Sequence, residues 1–127
     1  MKIRIYYEDT DCGGVVYYAN YLRYMERSRT ELFRDYGIEL QYYHEQGLVF
    51  TISRVHIAYH VPARYNDLID VESHIREVRG ASIDLHTDMR NDQGVLLAAG
   101  DVTMACVTHT GKPSRIPARI RRQLPSM

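Results

Sequence analysis

Residues Glu8 to Gly14 read EDTDCGG: three carboxylates and a thiol, followed at once by two glycines. Acids at that density act either as turn residues, accepting from nearby backbone N–H groups, or as reacting groups. Glu8 and Asp9 suit the first role. Asp11 differs, because it stands directly before Cys12 and the glycine pair and only a few residues before an amphipathic helix. Glycines there let a ligand approach the main chain, and free N–H groups at a helix start can hold a developing oxyanion. That combination fits acyl transfer: the acid attacks the acyl carbon or activates water, and the amides take up charge on the carbonyl oxygen. Asp11 is therefore the candidate reacting group, and Gly14 a candidate substrate contact.

Other chemistries find no matching pattern. His56 and His60 are spaced as HxxxH, yet four residues of strand span about 13 Å, beyond the reach of one metal ion, so no metal site is expected. His44, His74, His86 and His109 read as surface residues. Cys12 near a helix start invites a thiolate nucleophile, but no motif supplies a partner histidine, and Cys106 reads as core. Gly13 and Gly14 lack the spacing of phosphate-binding loops, and no GxSxG elbow is present.

Several elements must position Asp11. Residues 2 to 7 alternate as a short strand. Tyr21, Met25, Ser28, Leu32 and Tyr36 then recur at helical spacing, with Leu22, Arg29 and Phe33 on the flank and Arg23, Arg27 and Arg34 opposite. Asn20 as N-cap and Gly37 as stop bound a helix of about 16 residues, roughly 24 Å long. A second short helix is expected over 38–46, ending at Gly47. From Leu48 the period changes to two. Strands are predicted from Leu48 to His60 (broken by Pro62), over 69–76, over 83–90, and from Val95 to His109, with turns at Arg79–Gly80 and at residues 91–94. The fold class this implies is α+β: an antiparallel meander curved around one central helix.

The 127-residue chain is expected to form a single domain, 1–127, whose 45% apolar composition suits one packed core. Lys plus Arg and Asp plus Glu both total 16, so no overall field gathers nucleic acid or an anionic membrane. No apolar run approaches a membrane span, the start turns charged too early for a secretory core, and two cysteines without CxxC spacing give no disulfide framework. A cytoplasmic protein is expected. Lys112 to Met127 carries five bases and no acid; it reads as a solvated tail or as a patch for phosphate groups.

The segment YYEDTDCGGVVYYANYLRYMERSRTE (6–31), with HVPARYNDLIDVES (60–73) and THTGKPSRIP (108–117), closely resembles the hotdog-fold acyl-CoA thioesterases of the 4-hydroxybenzoyl-CoA thioesterase family, in particular the bacterial branch associated with the Tol-Pal envelope system. The resemblance implies a hotdog fold and hydrolysis of an acyl-CoA thioester to free acid and thiol, with no cofactor. It implies a catalytic role for Asp11 as nucleophile or general base, an oxyanion role for the Tyr18 backbone N–H, and a site-lining Tyr7. Relatives commonly carry histidine at the position of Tyr18 and alanine at that of Cys12; an N–H does not depend on side-chain identity. A sibling family uses a glutamate on the central helix, where Glu26 is the counterpart. Similar proteins are homodimers or homotetramers with sites between subunits, an arrangement in which Lys112 and Arg115 would meet coenzyme A phosphates. Acyl carrier protein is the alternative thiol carrier. The alternative function is a non-catalytic acyl-binding or scaffold protein.

Overall fold

The computed structural model describes residues 1–125. Its five strands are β1 (Lys2–Arg4), β2 (Leu48–Tyr59), β3 (Leu68–Val78), β4 (Ser82–Arg90) and β5 (Leu96–Thr108), ordered β1-β3-β4-β5-β2 and antiparallel throughout. Around this curled sheet lie three helices: α1 (Asn20–Asp35), α2 (Leu40–Glu45) and α3 (Ala118–Gln123). It is the expected α+β hotdog arrangement. The meander holds for β3, β4 and β5, whereas β2 lies beyond β5 and so forms an edge of the sheet. No helix among the described residues is long and apolar enough to cross a membrane.

Alternation in the strands decides which face meets α1. In β4, Ile83, Leu85, Thr87 and Met89 are buried, while Ser82, Asp84, His86 and Asp88 point outward. On α1, Tyr21, Met25 and Ser28 are buried as their spacing predicts, and Tyr24, Arg29 and Phe33 join them. Two contacts fix the helix on the sheet. Met25 lies over Gly100, where an added Cβ would stand 2.5 Å from Met25 Cε, so glycine leaves the room that the methionine fills. Ser28 Oγ lies 2.8 Å from Ser73 Oγ, which lies 2.7 Å from Thr87 Oγ1, and Ser28 also donates to the Val71 carbonyl at 3.2 Å. This chain of hydroxyls satisfies polar groups that would otherwise be stranded in the core.

Several local expectations change. The first strand stops at Arg4, and Tyr7–Asp9 form a 3-10 turn closed by Tyr6 N–H donating to Asp9 Oδ2 at 2.8 Å. Asp9 thus takes the turn role its type predicts. Asn20 is the first helical residue rather than the cap. The tail is folded rather than solvated: Ile116, Ile120 and Leu124 are buried, and Arg121 donates to the carbonyls of Arg79 and Gly80, binding α3 to the β3–β4 turn. The last two residues of that predicted tail lie outside the described residues. His86, read as a surface residue, is packed on the outer face between Asp88 and Asp101, each ring nitrogen 2.8 Å from a carboxylate oxygen.

Candidate active site

Asp11 opens a tight hairpin. Thr10 and Val16 bridge antiparallel, Asp11 N–H donates to the Val15 carbonyl at 2.9 Å, and Gly14 N–H donates to the Asp11 carbonyl at 3.1 Å. Gly14 then adopts φ +80°, the left-handed conformation that such a turn requires at its exit. Gly13 serves differently: its N–H donates to Asp11 Oδ1 at 2.8 Å, and a Cβ there would stand 3.2 Å from that same oxygen. One carboxylate oxygen is thereby held, while Oδ2 accepts no hydrogen bond among the described residues.

The hairpin is fastened to the scaffold on both sides. Val16, 3% exposed, is inserted in the core, and its N–H donates to the Ala63 carbonyl at 2.8 Å. The Asp9 carbonyl accepts twice, from Tyr17 N–H at 3.0 Å and from Asn20 Nδ2 at 2.9 Å. Asn20, buried at the start of α1, therefore ties the acidic loop to the helix. Sequence reasoning took it for a helix cap; an asparagine among tyrosines ahead of a buried stripe was the signal available. Asp11 is exposed at the mouth of a cleft of about 390 Å³ lined also by Glu8, Thr10, Tyr17, Ala19, Asn20 and Arg23.

Tyr18 sits just before α1, and its N–H finds no acceptor among the described residues. Its carbonyl accepts from Tyr59 Oη at 3.1 Å, and its exposed ring leans on Tyr17 at 4.9 Å. The Tyr18 side chain beside it raises the Tyr17 pKa. Tyr7 is 78% exposed, its ring edge-on to Tyr65 at 6.0 Å. Together with Tyr6 and Tyr59 these exposed rings surround the loop with aromatic surface. Beneath them Tyr24 is fully buried, and its hydroxyl has no hydrogen-bond partner among the described residues. Burial raises its pKa, as does the nearby Asp9 carboxylate.

Lys112 and Arg115 are not brought to Asp11 within one chain. β2 pairs Leu48 with Thr108 at one end and Tyr59 with Ala98 at the other. Lys112 bonds to Thr108, and Tyr59 reaches Tyr18, so the bases and the acid lie at opposite ends of a twelve-residue strand. That length is about 40 Å. Cys12 is exposed, and Cys106 is buried in the core, where burial raises its pKa.

The family model of the thioesterase-like superfamily matches residues 6–124 of the chain. The chain belongs to the thioesterase-like superfamily. Within it, the chain is 41% identical over 122 residues to the acyl-CoA thioesterase YbgC of Haemophilus influenzae, covering 94% of this chain and 88% of that protein. It is 34% identical over 119 residues to the acyl-CoA thioester hydrolase YbgC of Escherichia coli O6:H1, covering 93% and 89%. Among solved structures, a probable thioesterase from Bartonella henselae superposes with a TM-score of 0.85 at 30% identity, covering 92% of this chain and 97% of that one.

Proposed function

We propose that this thioester hydrolase acts on acyl-CoA, with Asp11 as its catalytic carboxylate and the Tyr18 N–H as oxyanion donor. The observation that carries the reading is the state of Asp11: one oxygen fixed by Gly13 N–H, the other unbonded among the described residues, at the mouth of a cleft beside the helix start. The thioester carbonyl oxygen takes the Tyr18 N–H, while Asp11 Oδ2 attacks the acyl carbon to give an anhydride that water opens, or draws a proton from water that attacks directly. In either course the C–S bond breaks, water oxygen ends in the acid, and the thiolate leaves to be protonated. Tyr7 and Gly14 border the site. The same motif residues support placing the protein in the Tol-Pal-associated branch, as one domain working in the cytoplasm, with acyl carrier protein as a second thiol carrier.

The working unit is a homodimer, alone or paired into a tetramer. β2 is an edge strand whose residues 51–56 are exposed, a liability that pairing removes. If two copies of β2 pair antiparallel, the Leu48 end of one lies beside the Tyr59 end of the other. The partner's Lys112 and Arg115 then approach this chain's Asp11 loop, where they would meet coenzyme A phosphates.

Asp11→Asn is the direct test. Asparagine keeps an oxygen for Gly13 N–H, so folding is preserved, while turnover of acyl-CoA in a thiol-release assay falls by at least ~10²-fold. Full turnover in this variant eliminates the assignment. Saturable acyl-CoA binding by the native chain without thiol release would favour the scaffold function.

A further inference from the structure

Tyr24 places a polar atom in the core without a mate. The residue is 1% exposed, and its hydroxyl is the one buried side-chain polar atom among the described residues that has no hydrogen-bond partner there. A phenol buried in this way forfeits the hydrogen bonds it makes in water, a loss that folding ordinarily avoids by supplying an acceptor. Phenylalanine would fill the same space without that loss, so the hydroxyl calls for a use beyond packing.

Helix geometry aims it at the loop that carries Asp11. Tyr24 stands one turn after Asn20 on the same face of α1, ~6 Å along the axis, and long helical side chains lean back over the turn that precedes them. In that preceding turn Asn20 Nδ2 holds the Asp9 carbonyl at 2.9 Å. The Asp9 carboxylate faces the phenol closely enough to add to the effect of burial on its pKa. Of the two Asp9 oxygens, Oδ2 accepts from Tyr6 N–H at 2.8 Å, and Oδ1 accepts nothing among the described residues. The Tyr24 ring is itself hemmed in, 6.1 Å from Tyr21 edge-on and 5.9 Å from Arg27 Cζ, so the loop is the partner with freedom to move.

The cleft shows what would move it. Glu8, Thr10 and Asp11 line it, whereas Asp9, between them, is half-buried and stays out of the lining. A molecule seated in the cleft therefore bears on the residues either side of Asp9 and presses the turn Tyr7–Asp9 toward α1. That turn contains no buried residue, so it yields before the helix does.

We infer that Tyr24 is a positioning residue for the acidic loop: occupation of the cleft brings the Asp9 carboxylate onto the Tyr24 hydroxyl, and α1 then grips residue 9 by carbonyl and carboxylate together. Asp11, two residues on, is fixed by that grip, while Tyr24 itself touches no reacting atom. This role rests on the reading that an acyl-CoA thioester occupies the cleft. The empty chain carries a stranded hydroxyl; the occupied chain gains a hydrogen bond to an ionised acid, one of the stronger kinds. Stability is thereby withheld from the resting state and returned on binding.

Tyr24→Phe separates this role from packing, because the two predict opposite signs. Without ligand, the variant is expected to unfold at the native temperature or a few degrees above it, since the stranded hydroxyl is gone. In thiol release, KM is expected to rise and kcat to fall, lowering kcat/KM at least ~5-fold, whereas a partly unfolded sample loses kcat with KM unchanged. Affinity for a non-hydrolysable acyl-CoA thioether, measured by calorimetry, should weaken as well. In an Asp9→Ala background the same substitution should alter neither turnover nor affinity. Should Asp9→Ala fail to fold, Asp9→Ser, which keeps an acceptor for Tyr6 N–H but stops short of Tyr24, takes its place. A less stable empty variant overturns the inference, because the hydroxyl is then already bonded; native turnover and affinity in Tyr24→Phe, or an equal loss without the Asp9 carboxylate, overturn it too. Thioether affinity that depends on Tyr24 in a native chain releasing no thiol refutes hydrolysis and keeps the grip, while native thiol release untouched by Tyr24→Phe does the reverse. A native chain that binds no thioether refutes both.

Discussion

Replacing Asn20 with aspartate separates two roles that look alike in the sequence. At a helix cap the two residues are interchangeable, because each offers an oxygen to the amides of the first turn. In the structure Asn20 acts through its nitrogen, which donates to the Asp9 carbonyl at 2.9 Å in a buried position. Aspartate has no hydrogen to give. It forfeits one hydrogen bond, about 1 kcal/mol, and sets a poorly hydrated carboxylate against a carbonyl oxygen, about 2–3 kcal/mol more. The positive end of α1 returns about 0.5–1 kcal/mol. The balance is a loss of about 2–4 kcal/mol, or roughly 10 °C in the unfolding midpoint of a domain of this size. Asn20→Ala loses only about 1–2 kcal/mol, because the Asp9 carbonyl keeps the Tyr17 N–H. Calorimetry on both variants, with kcat and KM for a thioester, should therefore rank them native, alanine, aspartate, with kcat falling at least tenfold in the aspartate variant as the loop loses its tie to α1. An aspartate variant as stable and active as the native chain would refute the tether.

At Gly14, where φ is +80° but a Cβ meets nothing within 4 Å, valine should cost about 1–2 kcal/mol through backbone strain and lower turnover, as thermal unfolding and thiol release would show. Ile120→Ala should cost about 2–5 kcal/mol in denaturant unfolding, because this fully buried side chain holds α3 to the core. Burial raises the Asp70 pKa, but the N-terminal ammonium and Lys2 outweigh it, so the net shift is downward. A depressed carboxylate contributes stability above its unfolded pKa of about 4 and loses it as pH falls through the folded value. Asp70→Asn should thus be the less stable protein at pH 7, by up to about 1 kcal/mol given partial exposure, with the gap closing in acid.

The fold was legible wherever side-chain periodicity reports burial. Tyr21, Met25 and Ser28 mark α1, and the alternation of Ile83 and Leu85 with Asp84 and His86 marks β4. The bulge at Ser53 was hidden, because register slips there between Ile52 and Arg54, leaving Ile52 and Val55 on one face although three residues apart. The tail misled through charge. Of the two readings of its five bases, a solvated tail or a phosphate patch, the first fails because three apolar residues, Ile116, Ile120 and Leu124, decide its packing. For the site, EDTDCGG pointed to Asp11, because glycine requirements and carboxylate chemistry are local. The Asn20 tether depends on a contact across the fold, which spacing does not encode.

The hydroxyl line from Ser28 through Ser73 to Thr87 acts as a detent on the helix. Sliding α1 by one turn would bring Tyr24 or Leu32 over Ser73, stranding the Ser28 hydroxyl and forcing bulk into a gap shaped for serine. On the proposed reading, adjustment to acyl groups of different length falls to the tyrosine-rich rim, while the rod beneath it keeps its setting.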